Sequence, residues 1–419
     1  MRDKLIGRGG SMAAVLFSVR GNARACLFTE PLWAIPNSLA APFFTLYMYS
    51  LGARDAQIGM ILSAGLLVQV ASAVAGGALA DKFGRRRTLV VVDTISWTIP
   101  CLLWAFAADV RWFLAAALLN GLQQISNNSW TCLLVEDTEQ ELLVKLFSWI
   151  YVCQLIAVFF APITGALVGH FSLVPVMRGI YLLSTVMMTM KFVMLFLYST
   201  ETGQGRRRMA ETRGESLIKL FAGYRGVFAK IVRNPRTARA TALISISAVT
   251  FVVSGNFFSL YATQNLGIGE VWIAWFPIVR AAVMLFFFFA PDQMISRYPM
   301  KNVLLFSLGL YVAGHAFLIS ASAFNSLKFV FLIMFLLLDA AAGALFMPRR
   351  DAFLIMEVDP VERARTMSIV YTIMLGLTSP FGYAAGLLSG ADRRLPFVLN
   401  VLLFFAMAAV IWKKGGEEA

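Results

Sequence analysis

Long apolar runs recur along the whole chain, and they constrain its fold more than any other feature. Each run spans about 20 residues, the length with which an α-helix crosses the hydrocarbon core of a bilayer. The runs lack the alternation of barrel strands, so we expect an all-α membrane protein with twelve transmembrane helices. The predicted spans are 27–50, 57–79, 88–107, 113–135, 146–169, 178–199, 241–263, 271–291, 303–322, 327–348, 366–389 and 395–412.

The composition agrees with a bilayer as the main partner. Hydrophobic residues make up 59% of the chain and charged residues only 14%, against roughly 25% charged in soluble proteins. The net charge of +13 does not indicate nucleic acid binding, because the bases lie in short clusters between apolar runs rather than on one solvated domain. We therefore expect lipid contact and no nucleic acid partner.

The distribution of Lys and Arg predicts the orientation of the spans. Most of the 36 bases fall in the N-terminal segment, in the loop between spans 2 and 3, and in residues 200–240. If the spans alternate in direction, these segments share one side, and the side rich in Lys and Arg is cytoplasmic. We expect a multi-pass protein of the cell membrane with both termini in the cytoplasm.

The two halves of the chain repeat each other in order. "FFTLY" (43–47) matches "FFSLY" (257–261), and "ADKFGRRRTL" (80–89) aligns with "ISRYPMKNVL" (295–304). This pattern predicts two six-helix bundles, 1–199 and 241–419, joined by a cytoplasmic linker at 200–240. The linker stretch "ESLIKLFAGYRGVFAKIVRNP" has an apolar helical face, which favours a helix lying on the inner leaflet or on the bundle itself.

The loop between spans 2 and 3 has a specific pattern of glycine, acid and bases. It reads Gly77, Leu79, Asp81, Lys82, Gly84, Arg85, Arg86 and Arg87. With twelve spans around it, this pattern resembles the loop signature of the major facilitator superfamily, and the resemblance covers the whole chain. It implies two helical bundles, and it implies that this loop closes the cytoplasmic side when the transporter opens outward.

The residues of this latch also have a physical rationale. A tight turn between two helices suits Gly84, which adopts positive φ without strain, and Gly77 permits close approach of another helix. Asp81 can face the N-terminus of a neighbouring helix, while Arg85 and Arg86 can pair with acids after span 4. Those acids are Glu136 and Asp137. The alternative is that the bases only fix orientation.

The second copy of the loop has lost the pattern, because Asp292, Ser296 and Pro299 replace the glycine, the acid and the second glycine. We expect at most a weak latch in the second half. Span 5 keeps Pro162 and Gly165 of the family's antiporter motif, which suggests a bacterial, drug-efflux-like member. Small residues around a proline kink are the alternative explanation.

Ionisable residues inside the spans are candidates for function, because their burial in a bilayer is costly. Asp339 and Arg280 both lie near mid-membrane, and we expect them to pair and to couple proton binding to conformational change. The alternative is a static pair. Asp93 and Lys191 suggest a structural ion pair, and Glu30 is either a proton site or an interfacial carboxylate.

Span 4 has a polar stripe at helical spacing, formed by Asn120, Gln124, Asn127 and Thr131. The resemblance implies that spans 1, 4, 7 and 10 line a central cavity; the stripe can instead hydrogen-bond neighbouring helices. Besides Asp339, the predicted cavity residues are Asn37, Gln124, Asn127, Trp130, Asn256, Phe257 and Tyr261.

Enzymatic functions lack their motifs. The chain has no GxxxxGK[ST] loop and no HExxH, and its four cysteines show no metal or disulfide spacing. We expect no cofactor, no metal and no catalysis. The expected function is secondary transport of a small amphipathic organic molecule by alternating access, with proton-coupled export. The alternatives are uptake of a polar metabolite and a transporter-like sensor without flux.

Overall fold

The computed structural model describes residues 19–214, 235–289, 298–356 and 363–412. Within these residues the chain is helical, without strands, as the sequence predicts. Eight helical stretches there are long and apolar enough to cross a membrane. The count of twelve spans stays a prediction, and the predicted amphipathic linker helix falls almost entirely outside the described residues.

The helices of the first half follow one another with short connections. They are α1 (Gly21–Thr29), α2 (Pro31–Ala40), α3 (Phe44–Ser50), α4 (Asp55–Phe83), α5 (Arg85–Asp93), α6 (Ile99–Ala105), α7 (Val110–Asn120), α8 (Gln123–Val135), α9 (Gln140–Val158), α10 (Ala161–Phe171), α11 (Leu173–Tyr198) and α12 (Gly203–Thr212).

The described helices of the second half are longer and less often interrupted. They are α13 (Pro235–Gln264), α14 (Glu270–Ile273), α15 (Phe276–Phe289), α16 (Met300–Ser320), α17 (Lys328–Met356), α18 (Arg363–Ala391) and α19 (Leu395–Trp412).

Proline interrupts several of the predicted spans and frees backbone groups for other contacts. Pro100 has no N–H to donate to the carbonyl of Ser96, one turn earlier. The chain forms a short π-helical segment at Thr94–Thr98, and the Asn120 side chain donates to the Ser96 carbonyl at 2.8 Å. The polar side chain of span 4 therefore satisfies a group that the proline of span 3 leaves open.

The two ends of the bundle are named here by their features. The latch end contains the turn between α4 and α5, where Gly84 has a φ of 91°, together with residues 199–202. The gate end contains the turn between α3 and α4 and the turn between α18 and α19. The helix α4 of the first half packs along α18 of the second half and thereby connects the two.

Candidate functional site

An ion pair joins the two halves at the gate end. Asp55, in the first turn of α4, accepts a hydrogen bond from the Ser389 hydroxyl at 2.6 Å. The Nε of Arg393, just beyond α18, lies 3.2 Å from the same carboxylate oxygen. Arg393 also lies over the ring of Tyr49, 5.3 Å from its centroid. Asp55 and Arg393 were not predicted as site residues, because both lie in predicted loops between spans.

Further along α4, about two turns from Asp55, the contact between α4 and α18 involves backbone groups. The Ser63 hydroxyl accepts from the Tyr383 N–H at 2.7 Å and donates to the Ser379 carbonyl at 2.5 Å. A Cβ on Gly59 would collide with the Gly382 carbonyl and lie 2.8 Å from the Cα of Gly386. This close approach requires glycine.

Two further contacts join the halves near the gate end. The Ser259 hydroxyl of α13 donates to the Pro42 carbonyl at 2.8 Å. A Cβ on Gly165 would lie 2.8 Å from the Val271 carbonyl, so α10 and α14 also touch closely. These hydrogen bonds and the ion pair between the two halves lie in the gate-end part of the bundle. The halves are closed at this end.

A central cavity of about 420 Å³ lies between the first half and α13. Its wall is neutral, with aromatic, amide and small side chains from both halves. The polar and aromatic lining residues include Asn37, Phe44, Gln69, Trp97, Trp104, Asn120, Tyr181, Phe251 and Asn256. The π-helical turn at Thr94–Thr98 presents Trp97 to this cavity.

The structure places two of the predicted cavity residues, Asn37 and Asn256, in the lining. Phe257 and Tyr261 are instead fully buried in the core, where the Tyr261 hydroxyl donates to the Leu318 carbonyl at 2.9 Å. Successive helical residues are rotated by about 100°, so a helix that presents Asn256 to the cavity turns Phe257 and Tyr261 away. The prediction that Phe257 and Tyr261 line the cavity was therefore wrong.

The rest of the predicted span 4 residues lie beyond the cavity. Gln124 and Asn127 are outside the lining, and Asn127 is exposed. Trp130 packs beside a core cluster near the latch end, about 6.0 Å from the Lys191 ammonium. The break between α7 and α8 after Asn120 explains this, because it interrupts the straight helix on which the predicted stripe depended.

The structure brings Arg280 and Asp339 together, with Nη2 and Oδ2 3.4 Å apart. They line a second cavity of about 20 Å³, room for about one water molecule. Phe251 lines both this ion-pair cavity and the central cavity, and the Arg280 guanidinium lies 5.9 Å from its ring centroid. One aromatic ring therefore separates the neutral cavity from the charged pair.

A buried polar network adjoins the ion-pair cavity, and the sequence analysis missed it. His315 is fully buried; its Nδ1 lies 3.0 Å from the Tyr311 carbonyl, and its Nε2 lies 3.4 Å from the amide nitrogen of Asn400. That nitrogen also donates to the hydroxyl of Ser254, which lines the ion-pair cavity. An isolated histidine in an apolar span was the available signal.

The ion-pair partner of Lys191 is Glu30, whereas the predicted partner was Asp93. The Lys191 ammonium lies 3.0 Å from the Glu30 carboxylate, and both side chains are buried. The Gln154 amide also donates to Glu30, at 3.4 Å. Within the described residues no ion pair joins Lys191 to Asp93, so the predicted pair was wrong. The reason is that α11 packs on α1 and α2, which places Glu30 against it.

At the latch end, Asp81, Arg85 and Glu136 form a chain of ion pairs. Arg85 donates to Asp81 at 2.6 Å and to Glu136 at 3.3 Å. The Glu201 carboxylate accepts the backbone N–H groups of Arg85 and Arg86 at 2.9 and 3.1 Å, as an acid at a helix N-terminus does. The Arg86 guanidinium lies over the Phe196 ring and donates to the Phe196 carbonyl.

The latch residues also hold the segment that follows α11. Asp137 accepts hydrogen bonds from the Asn22 side chain and the Gly203 N–H, both at 3.2 Å. Arg208 of α12 lies 2.9 Å from the second oxygen of Asp81, and this hydrogen bond raises the pKa of the Arg208 guanidinium. Both carboxylate oxygens of Asp81 are therefore engaged within the first half and α12.

The two latch glycines differ in their contacts. Gly84 has the positive φ expected of it, and a side chain there would meet the Glu201 carboxylate. The close helix approach predicted at Gly77 is made by its neighbour Gly76, where a Cβ would lie 3.0 Å from the Cα of Ile125. Gly77 itself is half-buried.

Two helical halves that meet at one end around a cavity have the architecture of a membrane transporter. The sequence pattern of the Major Facilitator Superfamily matches residues 33–337. The chain therefore belongs to this superfamily and is a transporter of that family. A curated relative, the uncharacterized MFS-type transporter YqjV of Bacillus subtilis (strain 168), is 28% identical over 134 residues, and that match covers 32% of each chain.

Solved transporters share the fold at low identity. The nucleoside transporter NupG superposes with a TM-score of 0.69 and 15% identity over 93% of this chain and 98% of its own. A POT family transporter in complex with 5-aminolevulinic acid superposes with a TM-score of 0.68 and 14% identity, over 95% of this chain and 98% of its own. A bacterial homologue of the human lysosomal transporter Spinster was solved in an inward-facing and occupied conformation. It superposes with a TM-score of 0.68 and 14% identity over 97% of each chain.

Proposed function

We propose that this protein is a proton-coupled secondary transporter that exports a small organic molecule by alternating access. The observation that carries the proposal is the shared wall at Phe251, between a cavity sized for a ligand and a membrane-embedded ion pair. The two moving bodies would be residues 1–199 and 241–419, linked by 200–240.

The contacts between the halves support alternating access. Contacts between the halves are found at the gate end, where they include the ion pair of Asp55 and Arg393. The distribution of Lys and Arg favours a cytoplasmic latch end. With that orientation, the conformation with a closed gate end is the one open to the cytoplasm. The opposite state requires the gate contacts to break and the latch end to close, with the protein in the cell membrane and both termini inside.

The ion pair of Arg280 and Asp339 supports proton coupling. Protonation of Asp339 removes its negative charge and leaves Arg280 without a counter-ion in the membrane interior, which is costly. The two protonation states therefore favour different packing around the pair. Because Phe251 borders both cavities, a change in packing around the ion pair also alters the contacts of a solute that lies against this ring.

Export is proposed from the glycine of the span 5 motif. Gly165 lies directly against the Val271 carbonyl of the other half, so the motif forms part of the interface that must open. Uptake of a polar metabolite is the second candidate, favoured by the amides of Asn37, Asn120 and Asn256 in the cavity. The direction of the proton gradient that drives accumulation distinguishes the two.

The test is flux in proteoliposomes with an imposed proton gradient and a panel of organic compounds. We expect Asp339→Asn to abolish gradient-driven accumulation while compound exchange without a gradient continues. The matched control is Asp351→Asn, because Asp351 is half-exposed and pairs with its neighbour Arg350. Undiminished accumulation by Asp339→Asn contradicts the coupling, and binding without flux under any gradient favours a sensor.

A double variant tests the pair itself. Arg280→Ala leaves Asp339 as an unpaired carboxylate, and we expect reduced protein yield and flux. Adding Asp339→Asn removes that charge and restores folding and exchange, though not proton coupling. A double variant no better than Arg280→Ala alone contradicts the energetic pairing of these residues.

A further inference from the structure

We infer that the central cavity binds an uncharged solute that has an aromatic or sugar-like ring and several hydrogen-bonding groups. This inference rests on the proposed function, because it assigns the solute class to the same cavity. It follows from three properties of the cavity wall: its lack of charge, its unused amide and indole groups, and its rings.

The wall of the central cavity contains no ionisable acid or base among its lining residues other than a cysteine and a tyrosine. Bringing an ion into such a site removes its hydration without an opposite charge to replace it. Arg280 and Asp339, which line the neighbouring cavity together with Phe251, already pair with each other. A charged solute is therefore disfavoured.

The wall does contain polar groups without partners in the described chain. The side chains of Asn37 and Gln69 make no hydrogen bond to other described residues. The indole N–H of Trp104, in a side chain that is 92% buried, has no acceptor there either. The amide nitrogen of Asn256 donates to the Val252 carbonyl, which orients its oxygen as a free acceptor.

These groups offer both donors and acceptors to a bound molecule. A buried donor without an acceptor is unfavourable, and a ligand that supplies the acceptor recovers this loss. Asn120 differs from them: its nitrogen donates to Ser96 and its oxygen accepts from Gln123, so it positions the wall rather than awaiting a ligand.

Aromatic side chains surround these polar groups. Phe44 and Trp104 meet edge to face with centroids 5.4 Å apart, and Tyr181 lies 5.3 Å from Trp104. Phe251 also lines the cavity. Such rings pack on the faces of flat or ring-shaped molecules. The volume of about 420 Å³ is near the lower end of ligand cavities, which range over roughly 300–1,000 Å³, and this favours a small solute.

Three phenyl glycosides of different charge test the inference on the purified full-length protein. Phenyl β-D-glucoside is neutral, phenyl β-D-glucuronide is an anion, and 4-(aminomethyl)phenyl β-D-glucoside is a cation. Binding is measured by tryptophan fluorescence and by thermal shift, without a membrane gradient. We expect the neutral probe to bind at least tenfold more tightly than either ion. Equal or tighter binding of an ion, or no binding of any probe, overturns the inference.

A charge placed in the cavity provides the second arm. Asn256→Asp adds a carboxylate to the lining. We expect this variant to bind the neutral probe more weakly, and we expect its affinity for the cation to rise at least tenfold relative to its affinity for the neutral probe. The control, Asn302→Asp, adds the same charge at an exposed site near the latch end and leaves the preference unchanged. Unchanged selectivity in a folded Asn256→Asp protein contradicts the assigned site.

Binding and flux separate this inference from the proposed function. If the neutral probe binds selectively but no compound crosses the membrane, the solute class stands and transport fails. If gradient-driven flux is found only for charged compounds, transport stands and the solute class fails.

Discussion

The carboxylate of Asp55 and the guanidinium of Arg393 form an ion pair across the two halves of the bundle, with Oδ2 and Nε 3.2 Å apart. Within the described residues it is the only ion pair that joins the halves. The Asp55 side chain is almost fully buried, and Ser389 adds a hydrogen bond at 2.6 Å. Opening the gate end therefore requires this carboxylate to lose two partners at once.

The first prediction concerns Asp55→Asn, which removes the charge but keeps the side-chain size. A hydrogen bond to a charged group contributes about 1.5–3 kcal/mol, so we expect the population with an open gate end to rise about tenfold or more. Spin labels at Arg54 and Ala391, both exposed at the gate end, measure the change as a longer distance between the halves.

Asp392→Asn is the matched control. Asp392 pairs with Arg394 at 2.6 Å at the same end, but both residues belong to the second half. This hydrogen bond lowers the pKa of Asp392, so the residue is charged at neutral pH. An equal shift in the two variants shows that general loss of charge, and not the bridge between halves, moves the distance.

The second prediction concerns the glycine contact between α4 and α18. Gly59→Ala places a methyl group against the backbone of Gly382 and Gly386, and overpacking of this kind costs about 1–3 kcal/mol. We expect the closed gate end to lose population by about tenfold while the fold persists, because the strain is relieved when the halves separate. The same spin labels report it.

The control for Gly59→Ala is Gly390→Ala. Gly390 lies on α18, near the same interface, and a Cβ there meets no atom within 4 Å. We expect no change in the distance distribution. A closed population that remains unchanged in Gly59→Ala contradicts the assignment of this contact to the gate.

Local sequence signals predicted much of the fold and the latch. Apolar periodicity predicted the helices, and the loop signature predicted the pairing of Arg85 with Glu136. Asp81 instead pairs with Arg85 and Arg208, where a neighbouring helix N-terminus was expected. These features depend on residues close in sequence or on a strongly patterned turn. Arg280 and Asp339 were also predicted correctly as neighbours, because two opposite charges at equal depth in a membrane have few other partners.

The gate and the cavity wall were harder to predict. Ser63 contacts Ser379 and Tyr383 more than 300 residues away, and no local pattern marks a serine or glycine that meets a distant backbone. The errors at Phe257 and Tyr261 have another cause: the side of α13 that faces the cavity depends on how the whole helix is rotated in the bundle. In spans 3 and 4, the breaks at Pro100 and after Asn120 also changed which side chains face the cavity.

The third prediction concerns the attachment of α12 to the latch. Arg208→Ala removes the contact with Asp81, and we expect hydrogen–deuterium exchange in residues 203–212 to accelerate severalfold, since a partly exposed ion pair contributes up to about 1 kcal/mol. Arg207→Ala is the control, because Arg207 is exposed and, among the residues that the structure describes, pairs with Glu211 of the same helix. Equal acceleration in both variants contradicts a specific role of Asp81.

The fourth prediction concerns Phe251, the ring between the two cavities. Phe251→Ala joins the central cavity to the ion-pair cavity and removes the aromatic face near the Arg280 guanidinium. Water then reaches Asp339 regardless of whether a solute is bound. We expect proton movement across proteoliposomes without added solute, measured with an internal pH dye, together with loss of solute accumulation.

Phe306→Ala is the matched control for this variant. Phe306 is an exposed ring on α16, away from the lining of both cavities, and its removal leaves the partition intact. We expect tight liposomes and normal accumulation. Proton-tight Phe251→Ala liposomes with unchanged accumulation show that the two cavities are not coupled through this ring, because a sealed and coupled pathway cannot survive loss of its only shared wall in the described structure.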